Sequence, residues 1–408
     1  MKKIICFSLI ASLGTFLYGY HTGIIAGTLL FITPEFQLSI FEQELVVCMM
    51  ILSGCGGSVV GGGLADYLGR KKTLLASAFC LGLGTLALMQ ASGFCVLLLG
   101  RLVTGFGIGI TSLIVPLYIA EISPPNIRGA LITIGQVMTS IGILVSYIVT
   151  FAFAEQKNWR EMFGFGFIPL AIFLLGLFFV PESPLWVKGY CRIKEKIQPP
   201  PYFLKTLWIG IALSIFQQIT GINTVIYYAP RLFETLGSHT PESAIFNTML
   251  IGVVNAFFSV AALFTIDWLG RRTLLIAGLI GMTLSLAALS IFIYNLMSQM
   301  ALISIFFYIA SFALSLGPVM GVILAEIFPL EIRGRAMGLA FFVNWFSNMI
   351  VSLTFLTLIH EIGTVLTFCM FTATCLIALW FSWKMVPETK GKTLDEIQKA
   401  LCNRSKIC

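Results

Sequence analysis

Seven uncharged amides stand inside long apolar stretches of the sequence: Gln136, Gln217, Gln218, Asn223, Asn255, Asn344 and Asn348. A polar side chain at membrane depth is costly unless it pairs or lines a wet cavity, so such positions are functional candidates by default. An amide both donates and accepts hydrogen bonds and carries no charge, which suits the hydroxyls of a neutral polyol better than a carboxylate, phosphate or ammonium. The competing role is helix packing, worth ~0.6–2 kcal/mol per contact, and Asn344 with Asn348, one turn apart, fits it well. Gly221 falls between the Gln pair and Asn223. A straight helix would point Gln218 and Asn223 about 140° apart, so unwinding at Gly221 is the expected way to bring both to one cavity. Covalent chemistry has little to work with. The chain has 3 His, no clustered metal ligands, and acids concentrated at helix ends rather than within apolar runs. Gly54 to Gly63 lacks the Lys-Ser or Lys-Thr ending of a phosphate loop, and its small residues instead permit close helix packing. No cofactor or metal is expected.

The elements that must hold these amides are membrane helices. The chain is 58% hydrophobic and 11% charged, against roughly 45–50% and 25% for an average soluble domain. A spanning helix needs about 20 mostly apolar residues. Such runs recur at roughly 5–28, 43–65, 73–93, 96–120, 131–154, 161–180, 205–228, 244–266, 274–296, 300–325, 336–359 and 363–385. Too little chain lies between them for a sizeable soluble domain. Lys2 and Lys3 before an apolar run resemble a secretory signal, but no small-residue cleavage site follows and the run continues past Gly27, so it reads as an uncleaved first span. Leu52-Ser53-Gly54-Cys55 resembles a lipoprotein box yet sits inside the second span. The 10 cysteines are scattered without metal-ligand or disulfide spacing and read as small packing residues.

Charge sets the expected orientation. Of the 25 Lys and Arg, all but Arg101, Lys157, Arg160 and Arg231 fall on the side of both termini, which the positive-inside rule makes cytoplasmic. The loops of the other side carry Glu35, Glu42, Glu44, Glu155, Glu161, Glu234, Glu242 and Glu361, which contribute little to orientation. The net charge of +7 therefore needs no nucleic-acid partner. The sequence also repeats itself. Ala120-Glu121-Ile122-Ser123-Pro124-Pro125-Asn126-Ile127-Arg128-Gly129 returns about 200 residues later as Ala325-Glu326-Ile327-Phe328-Pro329-Leu330-Glu331-Ile332-Arg333-Gly334. Asp66-Tyr67-Leu68-Gly69-Arg70-Lys71 returns as Asp267-Trp268-Leu269-Gly270-Arg271-Arg272, and Pro181-Glu182-Ser183 as Pro387-Glu388-Thr389. Six spans is an even number, so the two copies enter the membrane in the same direction. The expected fold is an all-α membrane protein of about twelve transmembrane helices in two parallel six-helix repeats. Residues 1–181 form the first bundle, 182–203 a charged, proline-broken linker, 204–385 the second bundle and 386–408 a tail.

At these loops the chain resembles the major facilitator superfamily, whose own two halves are related as a parallel repeat, and within it the sugar porters. The superfamily signature resembles Gly63-Leu64-Ala65-Asp66-Tyr67-Leu68-Gly69-Arg70-Lys71-Lys72. Sugar porter signatures resemble Pro116-Leu117-Tyr118-Ile119-Ala120-Glu121 with Arg128-Gly129, Pro181-Glu182-Ser183-Pro184, Gln217-Gln218-Ile219-Thr220-Gly221-Ile222-Asn223 with Tyr227-Tyr228, and Pro387-Glu388-Thr389-Lys390-Gly391. The resemblance covers all twelve spans. It implies transport of a monosaccharide by alternating access, with hexose or pentose hydroxyls bound by Gln136, Gln217, Gln218, Asn223, Asn255 and Asn344. Trp345, which matches a family aromatic beside them, and Tyr227 complete the expected substrate-binding set, and Tyr227 and Tyr228 help close the extracellular side above the sugar. It also implies a charge network that latches the cytoplasmic side in the outward-facing state: Asp66, Arg70, Glu121, Arg128 and Glu182 in one half, Asp267, Arg271, Glu326, Arg333, Arg335 and Glu388 in the other. The alternative for these charges is solvated anchoring, since an exposed ion pair contributes only about 0–1 kcal/mol.

The chain departs from the family pattern at three places. Gly321 follows Gly317-Pro318-Val319-Met320 where sugar porters usually carry Trp, which removes one apolar wall. Leu185 stands where the linker motif often has Arg. His21 stands where proton-coupled members have Asp and passive glucose carriers Asn, with Arg101 matching the basic partner of that Asp. Two alternatives stay open: His21 titrates and the chain couples sugar to H+, or His21 stays neutral and the chain equilibrates sugar passively. Symport is the expectation carried forward, with a small neutral sugar, H+ and the lipid bilayer as partners and a monomer as the working unit. An integral membrane enzyme lacks the paired groups it would need, and a non-transporting sugar sensor lacks the long cytoplasmic extension. The expected location is the cytoplasmic membrane, multi-pass, with both termini cytoplasmic. His239 and His360 fall in outer loops.

Overall fold

The structure is a computed structural model that describes residues 2–124, 127–187, 203–235, 240–328 and 333–390. The remainder of the linker, the tail beyond Lys390, Glu331, His239, and the Arg333 and Arg335 side chains lie outside the described residues. The described chain is helical throughout. The first half contains α1 (Lys2–Phe36), α2 (Ile40–Leu68), α3 (Arg70–Met89), α4 (Phe94–Ile122), α5 (Arg128–Phe153), α6 (Trp159–Gly164), α7 (Phe167–Phe179) and the short α8 (Pro184–Val187). The second contains α9 (Phe203–Ile219), α10 (Ile222–Thr235), α11 (Pro241–Leu269), α12 (Arg271–Tyr294), α13 (Ser298–Leu314), α14 (Leu316–Ile327), α15 (Arg333–Ile362) and α16 (Thr364–Met385). Taking α6 with α7, α9 with α10 and α13 with α14, 12 spans are long and apolar enough to cross a membrane.

Several spans run longer than their hydropathy suggested. Glu35 ends up inside α1, and Glu42 and Glu44 inside α2, rather than in loops. The start of α2 is fixed by a capping box, in which the Ser39 hydroxyl accepts from the Glu42 N–H and the Glu42 carboxylate accepts from the Ser39 N–H. That box carries the helix a turn beyond the apolar run.

The sequence repeat is also a packing repeat. In the first half α1 packs on α5, α2 on α4 and α3 on α7; in the second α9 packs on α15, α11 on α13 and α12 on α16. The halves meet along two equivalent seams, α2 with α15 and α11 with α5, and α1 also packs on α10. Small residues bring the backbones together. A Cβ at Gly19 would strike the Thr139 carbonyl and one at Gly142 the Phe16 carbonyl, so α1 and α5 approach reciprocally. Bulky apolar side chains such as Phe178, Phe179, Phe264 and Trp268 point outward, as a lipid-facing surface requires.

Candidate functional site

Two helix breaks shape the centre. Gly221 has φ +88°, and its N–H bonds the Gln218 carbonyl, which ends α9 and restarts the chain as α10. A side chain there would run into the Phe371 ring, 2.6 Å from a built Cβ. Ser315 (φ −123°, ψ −90°) divides α13 from α14 just before Pro318, which lacks the N–H needed to continue the ladder.

The break at Gly221 has the expected consequence. Asn223 Nδ2 donates to Gln218 Oε1 at 2.7 Å, and Gln218 Nε2 donates to Asn344 Oδ1 at 2.9 Å. Asn344 Nδ2 donates to Gln217 Oε1 at 2.8 Å and to the Ser214 carbonyl at 3.0 Å. Gln217 Nε2 reaches the Leu316 and Gly317 carbonyls of the first turn of α14 at 3.2 and 3.3 Å. Four sequence-predicted amides therefore form one network on α9, α10 and α15. Gln136 approaches it from the other half, its Nε2 lying 3.6 Å from a Cβ built at Gly317. One turn along α5, Ser140 Oγ meets Ser259 Oγ of α11 at 2.7 Å, and Asn255 is buried one turn further along that seam. Among the described residues neither Gln136 nor Asn255 is hydrogen-bonded to protein, so both amides keep their full capacity for a ligand. Open space surrounds a Cβ built at Gly321 on α14.

Trp345 crosses between halves. Its Nε1 donates to Ser112 Oγ of α4 at 3.2 Å, its ring lies 5.3 Å from that of Tyr18, and a Cβ built at Gly54 would touch it at 3.2 Å. Asn348 sits apart from the amide network: Nδ2 donates to the Tyr227 hydroxyl at 3.0 Å, and Oδ1 accepts from Ser352 Oγ at 3.1 Å. The Tyr228 hydroxyl donates to the Ser352 carbonyl at 3.0 Å. With Arg231 to Gln43 at 3.2 Å and Glu44 to Thr357, these contacts close the end opposite the termini. At the other end a cavity of about 530 Å³ opens between α2, α4 and α15, lined by Ser58, Gly62, Asp66, Leu113 and Phe342 among others. Its lining residues include none of the amides, so the amide network stands apart from this opening. The structure is thus shut on one side and hollow on the other.

The charge motifs fold as two copies of one device. Arg70 Nη2 pairs with Glu121 at 2.8 Å and Nη1 with Asp66 at 3.3 Å. Arg271 pairs with Glu326 at 3.1 Å and Asp267 at 2.8 Å. Glu182 accepts from the N–H groups of Arg70 and Lys71 at the start of α3, and Glu388 from those of Arg271 and Arg272 at the start of α12. Each carboxylate satisfies orphan donors at the positive end of a helix. Burial alone would raise the Glu388 carboxyl, but the N–H groups of Lys390, Arg271, Arg272 and Thr389 together hold it below the ordinary carboxylate range. Ser183 and Thr389 hydroxyls bond Glu121 and Glu326 in the same places. Gly69 (φ +95°) and Gly270 (φ +90°) make this possible, since a Cβ at either would collide with Glu182 or Glu388. Every ion pair among the described residues lies within one half. Across the halves, Gly129 beside Arg128 comes within 3.0 Å of Arg271 Nη2, measured from a built Cβ. The strong pairs therefore clamp each bundle internally, and the approach between bundles at this charged end runs through the start of α5.

His21 and Arg101 are both fully buried. Arg101 Nη1 donates to the His21 carbonyl at 3.2 Å and Nε to the Val46 carbonyl at 3.1 Å. His21 Nε2 lies 3.3 Å from the Thr85 hydroxyl, and neither His21 Nδ1 nor Arg101 Nη2 has a partner among the described residues. Arg101 thus touches His21 through the His21 backbone carbonyl, and Glu44, assigned from sequence to a loop, lies within α2. His360 is exposed at the end of α15.

Two six-helix bundles closed at one end, hollow at the other and joined by a polar centre define a membrane carrier of the major facilitator fold. The Sugar (and other) transporter family matches residues 7–198 and 191–401, and the chain belongs to that family. It is a transporter and not an enzyme. The chain is 37% identical to the probable metabolite transport protein CsbC of Bacillus subtilis, covering 97% of this chain and 94% of that protein. It is 32% identical to the galactose-proton symporter of Escherichia coli, covering 100% and 96%. Among solved structures, the proton:xylose symporter XylE bound to 6-bromo-6-deoxy-D-glucose superposes with a TM-score of 0.88 at 31% identity, covering 98% of this chain and 99% of that one.

Proposed function

We propose that this transporter carries a neutral monosaccharide, a hexose, pentose or related polyol, through the membrane by alternating access, in symport with H+. The observation that carries the sugar reading is the network of Gln217, Gln218, Asn223 and Asn344 beside the unengaged amides of Gln136 and Asn255. Uncharged donors and acceptors from both bundles suit hydroxyls that point in several directions. The relatives named as galactose and xylose symporters support the same substrate class and the coupling to protons. Trp345 offers its ring to the sugar's apolar faces. The bundles 1–181 and 204–385 rock about this centre, and Asp66, Arg70, Glu121, Arg128, Glu182, Asp267, Arg271, Glu326, Arg333, Arg335 and Glu388 govern the end at the termini. That end faces the cytoplasm, by the positive-inside distribution of Lys and Arg, and the membrane is the cytoplasmic membrane.

Passive equilibration is the second reading, favoured by one observation: among the described residues Arg101 has no carboxylate partner, and His21 occupies the place beside it. Uptake of labelled hexoses and pentoses into proteoliposomes with an imposed pH gradient decides between them. Accumulation above the external level establishes symport; equilibration to that level, independent of the gradient, establishes passive transport. Failure of every hexose, pentose and inositol to enter would remove the sugar reading.

A further inference from the structure

The seam that closes the end opposite the termini contains an acid that the transport reading leaves unused. Glu44 is 0% exposed where α2 packs on α15. Its Oε1 accepts from the Thr357 N–H at 3.0 Å, and its Oε2 lies 2.9 Å from Thr357 Oγ1. The titratable groups that interact with Glu44 are Cys48 on α2 and Tyr228 on α10; the charged groups nearest along the packed elements are Arg231 on α10, Arg101 of α4, bonded to the Val46 carbonyl of α2, and His360 and Glu361 at the end of α15. Arg231 is engaged by Glu234 at 3.9 Å and Gln43 at 3.2 Å, and Arg101 by two backbone carbonyls. His360 and Glu361 pair with each other at 3.2 Å and are exposed. Among the described residues, no cation lies within ion-pair distance of Glu44.

We propose that Glu44 is a proton-binding site that decides whether this seam closes: protonated, it lets α2 and α15 seal, and ionised, it favours their separation. The Thr357 N–H and hydroxyl and the Leu356 N–H offset part of the desolvation cost of a carboxylate here, but with no counter-ion the remainder of that cost stands. The neutral acid fits Thr357 on both sides, with its O–H donating to Oγ1 and its carbonyl oxygen accepting from the N–H. No net charge is then left in the seam. When α2 and α15 part, water reaches the side chain and the ionised form recovers its hydration. Closure is therefore linked to uptake of one proton from the solution at that end, and linkage to one proton changes the closed-to-open ratio by up to about tenfold per pH unit. The site acts on the gate whether or not the proton crosses the membrane, so it stands apart from the symport proposal.

Hydrogen–deuterium exchange of the full chain in lipid nanodiscs, followed on segments 40–50 and 353–362 from pH 5 to 9, reads the seam directly. Comparing variant with wild type at each pH cancels the intrinsic pH dependence of exchange. The wild-type segments should lose protection as pH rises, by up to about tenfold per unit, while Glu44→Gln, permanently neutral, stays protected throughout. A wild-type seam whose protection ignores pH, or a Glu44→Gln seam that follows wild type, overturns the proposal. If thermal melting shows that Glu44→Gln does not fold, Thr357→Val replaces it, because it keeps the N–H and removes the acceptor of the carboxyl proton. That variant must lose protection at acidic pH, and equality with wild type there overturns the proposal. Sugar accumulation with a pH-insensitive seam would retain symport and remove this site; a pH-sensitive seam without accumulation would do the reverse.

Discussion

Replacing Asn344 with Ala tests the amide network at its hub. Asn344 joins three groups: it donates to Gln217 Oε1 and the Ser214 carbonyl, and it accepts from Gln218 Nε2. A typical intramolecular hydrogen bond contributes about 1 kcal/mol net, so losing the two that reach Gln217 and Gln218 removes about 2 kcal/mol of orientation from them. If the freed amides faced apolar surroundings, that loss would appear mainly as instability. In a hydrated chamber they rebond to water, and the loss appears instead as reordering that the sugar must reverse on binding. The expectation is therefore a sugar affinity lower by on the order of 10- to 100-fold with a melting temperature within a few degrees of wild type. Titration calorimetry of the purified chain with the transported sugar measures the first, and a thermal melt the second. Asn348→Ala is the matched control. Asn348 binds Tyr227 and Ser352 at the closed seam rather than the network, so its affinity should stay within about threefold of wild type. Binding by Asn344→Ala within twofold of wild type would refute the reasoning, as would a collapse in stability with affinity intact.

The helix starts at Gly69 and Gly270 should fail alike. Gly69→Ala and Gly270→Ala each force a left-handed backbone angle on a residue with a Cβ and displace Glu182 or Glu388, at an expected cost of about 1–3 kcal/mol apiece in thermal melts. The Glu388 carboxyl is held below its ordinary range, so its contribution is complete above the ordinary carboxylate value of about 4.3. It disappears as pH falls through the depressed value. Melting temperatures of wild type and Glu388→Gln should accordingly differ at pH 7 and converge in acid. Ser112→Ala removes the acceptor of the Trp345 N–H between the halves, an expected loss of about 1 kcal/mol, and should change the rate of sugar uptake more than the affinity of binding.

The architecture was legible because membrane physics leaves so few solutions. Uncharged stretches long enough to cross hydrocarbon must be helices, and three motifs repeated in the same order, each displaced by 201 to 206 residues, require two halves with the same orientation. The paired charge devices were legible as residues but not as contacts. Arg70 and Arg271 each find the Glu of their own bundle, because the helices that carry Asp66 and Glu121 end, with the segment after α7 that carries Glu182, around one helix start. The corresponding ends in the second bundle repeat the arrangement.

Gly221 announced a break in span seven from residue type alone, since a left-handed angle is inexpensive only without a Cβ. Which amides the break joined was beyond one-dimensional reading: Gln218 and Asn223 meet through it, Asn344 arrives from α15, and Asn348, one turn along, turns to Tyr227 instead. Glu44 shows the same limit most clearly. Its charge and position suited a loop, and burial against Thr357 became visible only once α2 and α15 were packed. Local composition determines where a chain can enter a membrane and where it must bend. Which polar groups share a chamber is set by the rotation and approach of whole helices, a long-range property that no stretch of sequence carries by itself.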